Sequence, residues 1–413
     1  MPAIDSERLI QDLAALNRLG AEPGPGISRV AYSPADMAGR QVVAGWLREL
    51  GCTVQQDAAG NVSGVLPAAA DHLRPIALGS HTDTVPNGGR FDGTLGVVAA
   101  LACARGLVRS RTRLRHPLEI IDFAAEEATM GGGTLGSRAL TAGLEDGFEA
   151  ALGWDGRPVS EHLAGAGLDW RDLARAQRER GSLAAYLELH IEQGGVLDQS
   201  GIPMGVVSGI VGIRRYQVVF RGQANHAGTT PMAQRDDALL KAAPLVLDVE
   251  RVARELGTVG TVGTFVVEPG ASNVIPGRVE LSFEIRSLDD GLLDQAEQRL
   301  LIAAGDRGGQ ARRVSSKAPV RSAKQVVSAL EVACEQLGHE YRLLPSGAGH
   351  DAMCMAAITE SAMLFIPSRN GISHAPEEYS TPEQCVTGAE VLLAGLLELD
   401  ARLDPVPQLE TAR

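Results

Sequence analysis

The fold prediction starts from the segment Gly79–Gly93, which reads GSHTDTVPNGGRFDG. A short apolar run over 75–78 precedes this segment and is typical of a buried strand. A continuous apolar stretch from about Leu95 to Val108 follows it and predicts a helix. The segment is therefore predicted to be a loop at the carboxyl end of a strand, which is where open α/β sheets bind their ligands.

Three side chains of this loop suit a metal site. His81 offers an imidazole nitrogen, and Asp92 offers two oxygens that could bridge two cations. Asp83 follows His81 by two residues and is placed to orient its imidazole. A polar loop with a capping Asp is the alternative for an isolated His-x-Asp, but the rest of the chain supplies matching ligands.

A second predicted strand, over 116–125, is followed directly by Glu126 and Glu127. Adjacent residues of a regular strand point to opposite faces. Both carboxylates can therefore serve one site only if they lie beyond the end of the strand. The alternative is a solvated acidic pair.

Two more predicted strands end near a histidine. The strand over 185–191 contains His190 close to its end, and the strand over 362–366 is followed by His374. The strands thus deliver potential ligands to one edge of the sheet. His350 could be a further imidazole at the site, but its neighbours Gly349 and Asp351 favour a role in fixing the loop, and it is left out of the ligand set.

The candidate metal ligands are His81, Asp92, Glu127, His190 and His374. One tetrahedral zinc with an open position cannot use them all. Five ligands with one shared carboxylate suit two metals roughly 3.5–4 Å apart, bridged by water or hydroxide. Glu126 remains outside the ligand set and could pass a proton from that water to a leaving nitrogen. The chemistry would be metal-assisted hydrolysis of an amide-like bond.

Composition limits the partners. The chain has 413 residues, 44% of them hydrophobic, and a formal net charge of −13. This acidity argues against nucleic acid and anionic membrane, and we expect a small-molecule substrate. The five cysteines are scattered, and the first residues lack an apolar signal core. We therefore expect a cytoplasmic protein.

The predicted elements also indicate two domains. From 209 to about 319 their order is β-α-β-β-α-β, which is typical of a ferredoxin-like α+β layer. We predict a discontinuous catalytic domain over 1–208 and 320–413, with 209–319 inserted into it. Within the first part, a charged helix is predicted over 163–180.

Several motifs together resemble one known family. They are GSHTDTVPNGGRFDG (79–93), HIEQG (190–194), FRGQANHAGTTPM (220–232), NVIPG (273–277), PSGAGHDAM (345–353) and PSRNGISHAPEE (367–378). The chain resembles the co-catalytic zinc clan of aminoacylases and carboxypeptidase G-type exopeptidases. It is most similar there to N-carbamoyl-L-amino-acid amidohydrolases (L-carbamoylases), allantoate amidohydrolases and yeast-type β-ureidopropionases. The resemblance covers nearly the whole chain.

The resemblance implies an α/β fold in which the catalytic domain has a mixed sheet and resembles dinuclear-zinc exopeptidases. It also implies that the inserted domain is a lid through which two chains form a homodimer. It implies two divalent ions per chain, zinc, manganese or cobalt. One would be held by His81, Asp92 and His190, and the other by Asp92, Glu127 and His374. Glu126 would be the general base.

The resemblance further implies that Gln193, His226, Asn273 and Arg286 bind the substrate. In the family, the residue matching His226 often comes from the partner subunit. From the residues alone, His226 could instead be a turn histidine and Arg286 a solvated charge.

The expected activity is hydrolysis of the C–N bond of an N-carbamoyl (ureido) amino acid or a related small acid. An N-acyl-amino-acid or dipeptide hydrolase with the same centre is the alternative, and a non-catalytic binding protein is a third hypothesis, against which Glu126 speaks. The loop 128–135 departs from the family because it lacks an Arg and an aromatic residue and contains Gly131-Gly132-Gly133. We expect this change to shift the substrate preference, toward a bulkier group.

Overall fold

The computed structural model describes residues 2–21, 23–70, 72–145 and 147–404. The chain divides into two compact units, one made of residues 1–208 and 322–413 and the other of residues 209–321. The return to the first unit thus falls two residues later than the sequence boundary at 320. The fold is mixed α/β, as predicted.

In chain order the strands are β1 (Thr53–Gln56), β2 (Val62–Leu66), β3 (Ile76–His81), β4 (Leu118–Phe123), β5 (Ala185–Ile191), β6 (Met204–Ile210), β7 (Gly212–Arg221), β8 (Val259–Glu268), β9 (Arg278–Ser287), β10 (Gln310–Lys317), β11 (Val320–Arg321), β12 (Tyr341–Ser346) and β13 (Ser361–Ile366). The helices are α1 (Ser6–Asn17), α2 (Pro34–Glu49), α3 (Thr94–Ser110), α4 (Leu135–Thr141), α5 (Val159–Gly165), α6 (Val196–Ser200), α7 (Ala238–Leu256), α8 (Asp290–Gly305), α9 (Lys324–Leu337), α10 (Asp351–Met355) and α11 (Pro382–Arg402).

The sheet of the first unit runs in the order β1-β2-β4-β3-β5-β13-β6, with β12 paired to β6. Strand β3 pairs in parallel with β4 and β5, and β5 pairs in parallel with β13. The pairs β1–β2, β2–β4 and β13–β6 are antiparallel. The sheet is therefore mixed, as predicted, and its four parallel strands end at one edge.

Helix α3 lies in the core of this unit and places the polar loop before it. Its residues from Leu95 to Ala104 are all buried, because they are small or aliphatic on every face of the helix. A side chain at Gly96 would lie 2.4 Å from the carbonyl oxygen of Leu189, so a glycine is needed for α3 to lie this close to β5. Within the described residues, no helix combines the length and apolarity needed to cross a membrane.

The second unit is a four-stranded antiparallel sheet in the order β10-β7-β9-β8. Its element order, β7-α7-β8-β9-α8-β10, is the β-α-β-β-α-β order expected from the sequence. Alternate residues of β9 are buried, and they form the core together with one face of α7 and of α8. Strand β8 lies at the edge of this sheet and is largely exposed.

The single charged helix expected over 163–180 is not present. The structure instead has α5, which ends at Gly165, and a short 3₁₀ helix, Trp170–Ala176. Gly167 between them has φ +77°, a left-handed conformation that ends a helix. The Asp169 side chain then accepts a hydrogen bond from the amide of Arg171 and caps the second helix.

Candidate metal centre and active site

Candidate ligands lie at the carboxyl ends of the four parallel strands. His81 is the last residue of β3, and His190 is the last but one of β5. Strand β4 ends at Phe123, so Glu126 and Glu127 follow it in a loop. This is the position that two adjacent carboxylates need if both are to serve one site.

Asp92 lies between three imidazoles. Its Oδ1 is 3.5 Å from His81 Nε2 and 3.3 Å from His190 Nε2, and its Oδ2 is 3.3 Å from His374 Nε2. Burial by itself would raise the pKa of Asp92, but interactions with His190, His374 and His81 hold that pKa well below its usual value. Asp92 is therefore an ionised carboxylate shared by three potential ligands.

The five predicted ligands fall into two groups that share Asp92. One consists of His81, Asp92 and His190, and the other of Asp92, Glu127 and His374; within each group the ligand atoms lie within 4.8 Å of one another. In the second group, Glu127 Oε2 is 3.5 Å from His374 Nε2. The structure thus brings together all five residues that the sequence singled out.

The donor atoms in these groups fit metal ions. His81 Nε2 is buried and has no hydrogen-bond partner, which would be costly unless it faces a metal. Its other nitrogen, Nδ1, lies 3.0 Å from the carbonyl oxygen of Asp83, which fixes the ring. Imidazole nitrogens and carboxylate oxygens are the ligands that zinc and similar divalent ions use.

A third group consists of Glu188, His190 and His350 and shares His190 with the first group. Glu188 already accepts hydrogen bonds from the hydroxyl of Tyr186 and the amide of Ala352. The ring of His350 stacks edge-on against His190 with centroids 4.5 Å apart. The contacts of His350 agree with a role in fixing the loop around His190, so we leave it out of the ligand set.

Glu126 is buried next to the ligands but belongs to neither ligand group that shares Asp92. Its Oε2 is 3.6 Å from His81 Nε2. Burial raises the pKa of Glu126 well above its usual value; His81 acts against this rise, and the carboxylates of Asp351 and Glu127 add to it. A carboxyl group with a raised pKa close to metal ligands is suited to receiving and returning a proton.

The turn that carries Glu126 and Glu127 is fixed by Asp83. Ala125 has φ +51°, a left-handed conformation that redirects the chain after β4. The carboxylate of Asp83 then accepts the amide of Glu126 at 3.1 Å and the amide of Glu127 at 3.2 Å. Asp83 thus lies at the imidazole of His81 as expected, through its carbonyl oxygen at 3.0 Å and its Oδ1 at 3.7 Å from Nδ1, and its carboxylate in addition holds the glutamate turn.

Sequence reasoning missed the support of Asp92. The Ser373 hydroxyl lies 3.0 Å from Asp92 Oδ2 and 2.8 Å from Glu378 Oε2. Glu378 Oε1 accepts the amides of Phe91 and Asp92. Ser373 and Glu378 lie in the same short segment as His374. Their closeness to a predicted metal ligand in the sequence was the signal that could have indicated their role.

Gln193 was expected to bind substrate and lies at the metal ligands. Its amide nitrogen donates to Asp92 Oδ2 at 2.6 Å, and its carbonyl oxygen Oε1 is buried without a hydrogen-bond partner. An amide oxygen left unpaired beside the ligands is available to a bound molecule.

The three substrate residues expected in the second unit do not lie together. His226 and Asn273 are neighbours, because the amide of Ala227 donates to the carbonyl oxygen of Asn273. They follow β7 and precede β9, whereas Arg286 lies near the far end of β9 and is paired with Glu284. The ten residues of β9 span roughly 30 Å, so these residues cannot surround one small acid within this unit.

The loop that departs from the family lies against another loop of the first unit. Met130 forms an isolated bridge with Gly153, and the amide of Trp154 donates to the carbonyl oxygen of Thr129 at 2.8 Å. Trp154 is 57% exposed. The backbone of the segment that carries Trp154 therefore lies against this loop.

A shared carboxylate between two ligand groups, with a further buried carboxyl group beside them, defines a metal-dependent hydrolase. The model of peptidase family M20/M25/M40 matches residues 77–398, and the chain belongs to that family.

Several known proteins are similar in sequence or structure to this chain over almost its full length. An N-carbamoyl-L-amino acid amidohydrolase of Geobacillus stearothermophilus is 39% identical over 397 residues, which is 94% of this chain and 97% of the relative. A ureidoglycolate hydrolase of Oryza sativa subsp. japonica is 35% identical over 96% of this chain and 85% of its own. The crystal structure of an amidase of the hydantoinase/carbamoylase family from Burkholderia multivorans has a TM-score of 0.89 at 35% identity, covering 98% of this chain and 100% of that one.

These comparisons confirm the predicted family and the predicted class of enzyme. The chain is an amidohydrolase that acts on a non-peptide C–N bond.

Proposed function

We propose that this protein hydrolyses an N-carbamoyl L-amino acid or a related small ureido acid, releasing ammonia, with two divalent ions per chain. Zinc, manganese and cobalt all suit the ligands. The observation that carries the proposal is the position of Asp92 between His81, His190 and His374, with Glu126 beside them. The relatives named for carbamoyl and ureido substrates support the substrate class.

Each residue of the centre has a distinct task in this proposal. His81 and His190 would hold one ion, Glu127 and His374 the other, and Asp92 both. Bound metal ions lower the pKa of water and polarise the substrate carbonyl. Glu126 takes the proton from the attacking water and returns it to the leaving nitrogen. The unpaired Oε1 of Gln193 accepts a hydrogen bond from the substrate.

We further propose that the substrate carboxylate is bound by two chains of a homodimer. Arg286 would bind the substrate carboxylate in its own chain. Its guanidinium suits this role because it can form two parallel hydrogen bonds with a carboxylate. His226 and Asn273 would come from the partner, and their separation from Arg286 along β9 supports this division. A free edge at β8 and the exposed side chains of Leu240 and Leu247 on α7 make the second unit the proposed contact between copies.

The activity is tested with metal-loaded protein and a panel of substrates that share one side chain. N-carbamoyl, N-acetyl and dipeptide derivatives of the same L-amino acid are compared by ammonia release and by appearance of the free amino acid. We expect the carbamoyl compound to release ammonia and to be preferred. Cleavage of the N-acetyl compound without any ammonia from the carbamoyl compound would instead establish the N-acyl-amino-acid hydrolase.

The same panel tests the altered loop. The glycines 131–133 predict a preference for bulkier side chains, because a loop without side chains at these positions leaves more space. Comparing glycine, valine and phenylalanine derivatives measures this preference. Equal kcat/KM for the three would show that the loop does not select the side chain.

A further inference from the structure

Arg40 on α2 is fully buried and lies directly beneath the turn that carries Glu126 and Glu127. Its guanidinium donates from Nη1 to the carbonyl oxygen of Asp122 at 3.1 Å and from Nη2 to the carbonyl oxygen of Phe123 at 2.9 Å. These are the last two carbonyls of β4 before the chain turns. Arg40 therefore caps the end of the strand from which the turn departs.

Three carboxylates converge on the same guanidinium. Asp36 Oδ1 lies 3.1 Å from Nε of Arg40, Asp122 Oδ1 lies 3.4 Å from Nη1, and Asp83 Oδ1 lies 3.7 Å from Nη2. All four side chains are buried. Charges buried this deeply must be paired and hydrogen-bonded. Loss of Arg40 would remove the guanidinium that lies within 4 Å of all three carboxylates and leave them the more distant charge of the buried Arg29.

Asp83 connects this cluster to the active site. The oxygen that faces Arg40, Oδ1, also accepts the amide of Glu126, while Oδ2 accepts the amide of Glu127. The guanidinium thus holds the turn twice, through the β4 carbonyls on one side and through Asp83 on the other. A planar fork of five N–H donors can make these contacts together, whereas the ammonium of lysine cannot.

We propose that Arg40 is a positioning residue that sets the places of Glu126 and Glu127. None of its described hydrogen bonds and ion pairs reaches a proposed metal ligand, and it acts through Asp83 and the end of β4. The inference rests on the proposed function for the roles of the two glutamates. Its geometric part, the position of Glu127 as a metal ligand, can be measured without any substrate.

Arg178 provides a matched control at the other end of the same strand. Its side chain is 20% exposed and forms two hydrogen bonds, 2.8 and 2.7 Å long, with the buried carboxylate of Glu119 in β4. It makes no contact with the glutamate turn that the structure describes. Substitution of Arg178 therefore removes an arginine–carboxylate pair from β4 without touching the support of the site.

The test compares Arg40→Lys and Arg40→Met with Arg178→Lys and Arg178→Met. Three properties of each full-length protein are measured: thermal stability, affinity for Co²⁺ with the visible spectrum of the bound ion, and kcat and KM. Removing a group that orients metal ligands typically lowers metal affinity or activity about 10–100-fold. We expect that loss for Arg40→Lys, with a changed Co²⁺ spectrum and with kcat affected far more than KM.

The Arg178 variants should lose stability and keep wild-type metal affinity and kcat per metal-loaded chain. If Arg40→Lys also keeps both, Arg40 is a structural residue and the proposal is overturned. The same conclusion follows if Arg40→Lys fails to fold while Arg178→Lys folds. If wild-type protein binds metal but hydrolyses no ureido acid, the proposed function fails, and the Co²⁺ affinities still decide the role of Arg40.

Discussion

Glu126 and Glu127 are adjacent in sequence and differ in what they face. Glu127 Oε2 lies 3.5 Å from the imidazole of His374, within a group of ligand atoms. Glu126 Oε2 lies 3.6 Å from His81 Nε2 and belongs to neither group that shares Asp92. The left-handed turn at Ala125 allows both residues to serve one site despite this difference, because it takes them out of the alternation of the strand.

Substituting the two glutamates separately should therefore have different effects. Glu126→Gln should keep both metal ions while kcat falls on the order of 10²-fold or more, since it removes only the proton acceptor. Glu127→Gln should lose metal as well as activity. Metal content per chain and kcat are measured together, and normal turnover by Glu126→Gln would refute its role as base.

The pH dependence of metal binding should follow His374. Its interaction with Asp92 raises its pKa to about 9, so the imidazole is protonated at pH 7 in the metal-free protein. Burial and Asp92 raise the pKa of Glu127 to about 8. A metal binds only the deprotonated forms, so binding releases these protons at neutral pH.

The apparent metal affinity should therefore rise from pH 6 toward pH 9, by about tenfold per pH unit for each proton released. Above the raised pKa values it should level off. Titration of metal-free protein with Mn²⁺ or Co²⁺ at several pH values measures this slope, and His374→Ala should make it shallower. An affinity independent of pH would contradict protonation of His374 and Glu127 in the metal-free protein.

At the scale of elements, the start of α3 is shaped by the ligand next to it. Gly93 has φ +60°, and a side chain there would lie 2.3 Å from the ring of His81. Its amide also points to His190 Nε2 at 3.2 Å. The helix can begin this close to the metal ligands only without a side chain.

Gly93→Ala should displace His81 and weaken metal binding at least tenfold, as expected when a ligand is misplaced. Gly201→Ala is the matched control: Gly201 has φ +70°, and a side chain there would meet nothing within 4 Å. Gly201→Ala should have the same backbone strain from a positive φ as Gly93→Ala, but it should keep the metal affinity of the wild-type protein. Calorimetric titration with Zn²⁺ compares the two, and equal affinities would show that His81 tolerates the added methyl group.

The sequence was sufficient to predict where the parallel strands end and which ligands follow them. Apolar runs followed by His or Glu fixed the positions of His81, Glu127 and His190, because parallel strands end at one edge of a sheet. The prediction of a helix over 163–180 was wrong because Gly167, in a left-handed conformation, ends the helix that the charge pattern favoured. Local patterns cannot show such a break when the flanking residues favour helix.

Contacts between distant segments were beyond sequence reasoning. The carboxylate of Asp83 binds amides more than forty residues away, and Glu378 binds the amide of Asp92 across 286 positions. The separation of Arg286 from His226 became visible only when the register of β9 was known. Periodicity predicts that a strand exists, and pairing decides which side chains meet.

At the scale of the whole molecule, the proposed sharing of the active site can be tested by mixing chains. Glu126→Gln and His226→Ala should each retain only a small fraction of wild-type activity as pure proteins. If His226 acts in the partner's site, a dimer with one chain of each kind contains one intact site. Random mixing should then restore up to about a quarter of wild-type activity.

Ammonia release by refolded or exchanged mixtures measures the restored fraction. Mixing two preparations of Glu126→Gln is the control and should restore nothing. A mixture of the two variants that stays inactive, although native mass spectrometry shows mixed dimers, would place His226 and Glu126 in the same chain's site. An active monomer would remove the shared site altogether.

The central claim is that two metal ions sharing Asp92, with Glu126 as base, hydrolyse a ureido acid. The most direct measurement is ammonia release from an N-carbamoyl L-amino acid as metal-free protein receives increasing amounts of Zn²⁺, Mn²⁺ or Co²⁺. We predict no ammonia without metal, a rise that ends at two equivalents per chain, and a rate lower by on the order of 10²-fold or more at every metal level for Glu126→Gln. Ammonia release that is complete without added metal, or unchanged in Glu126→Gln, would contradict the account.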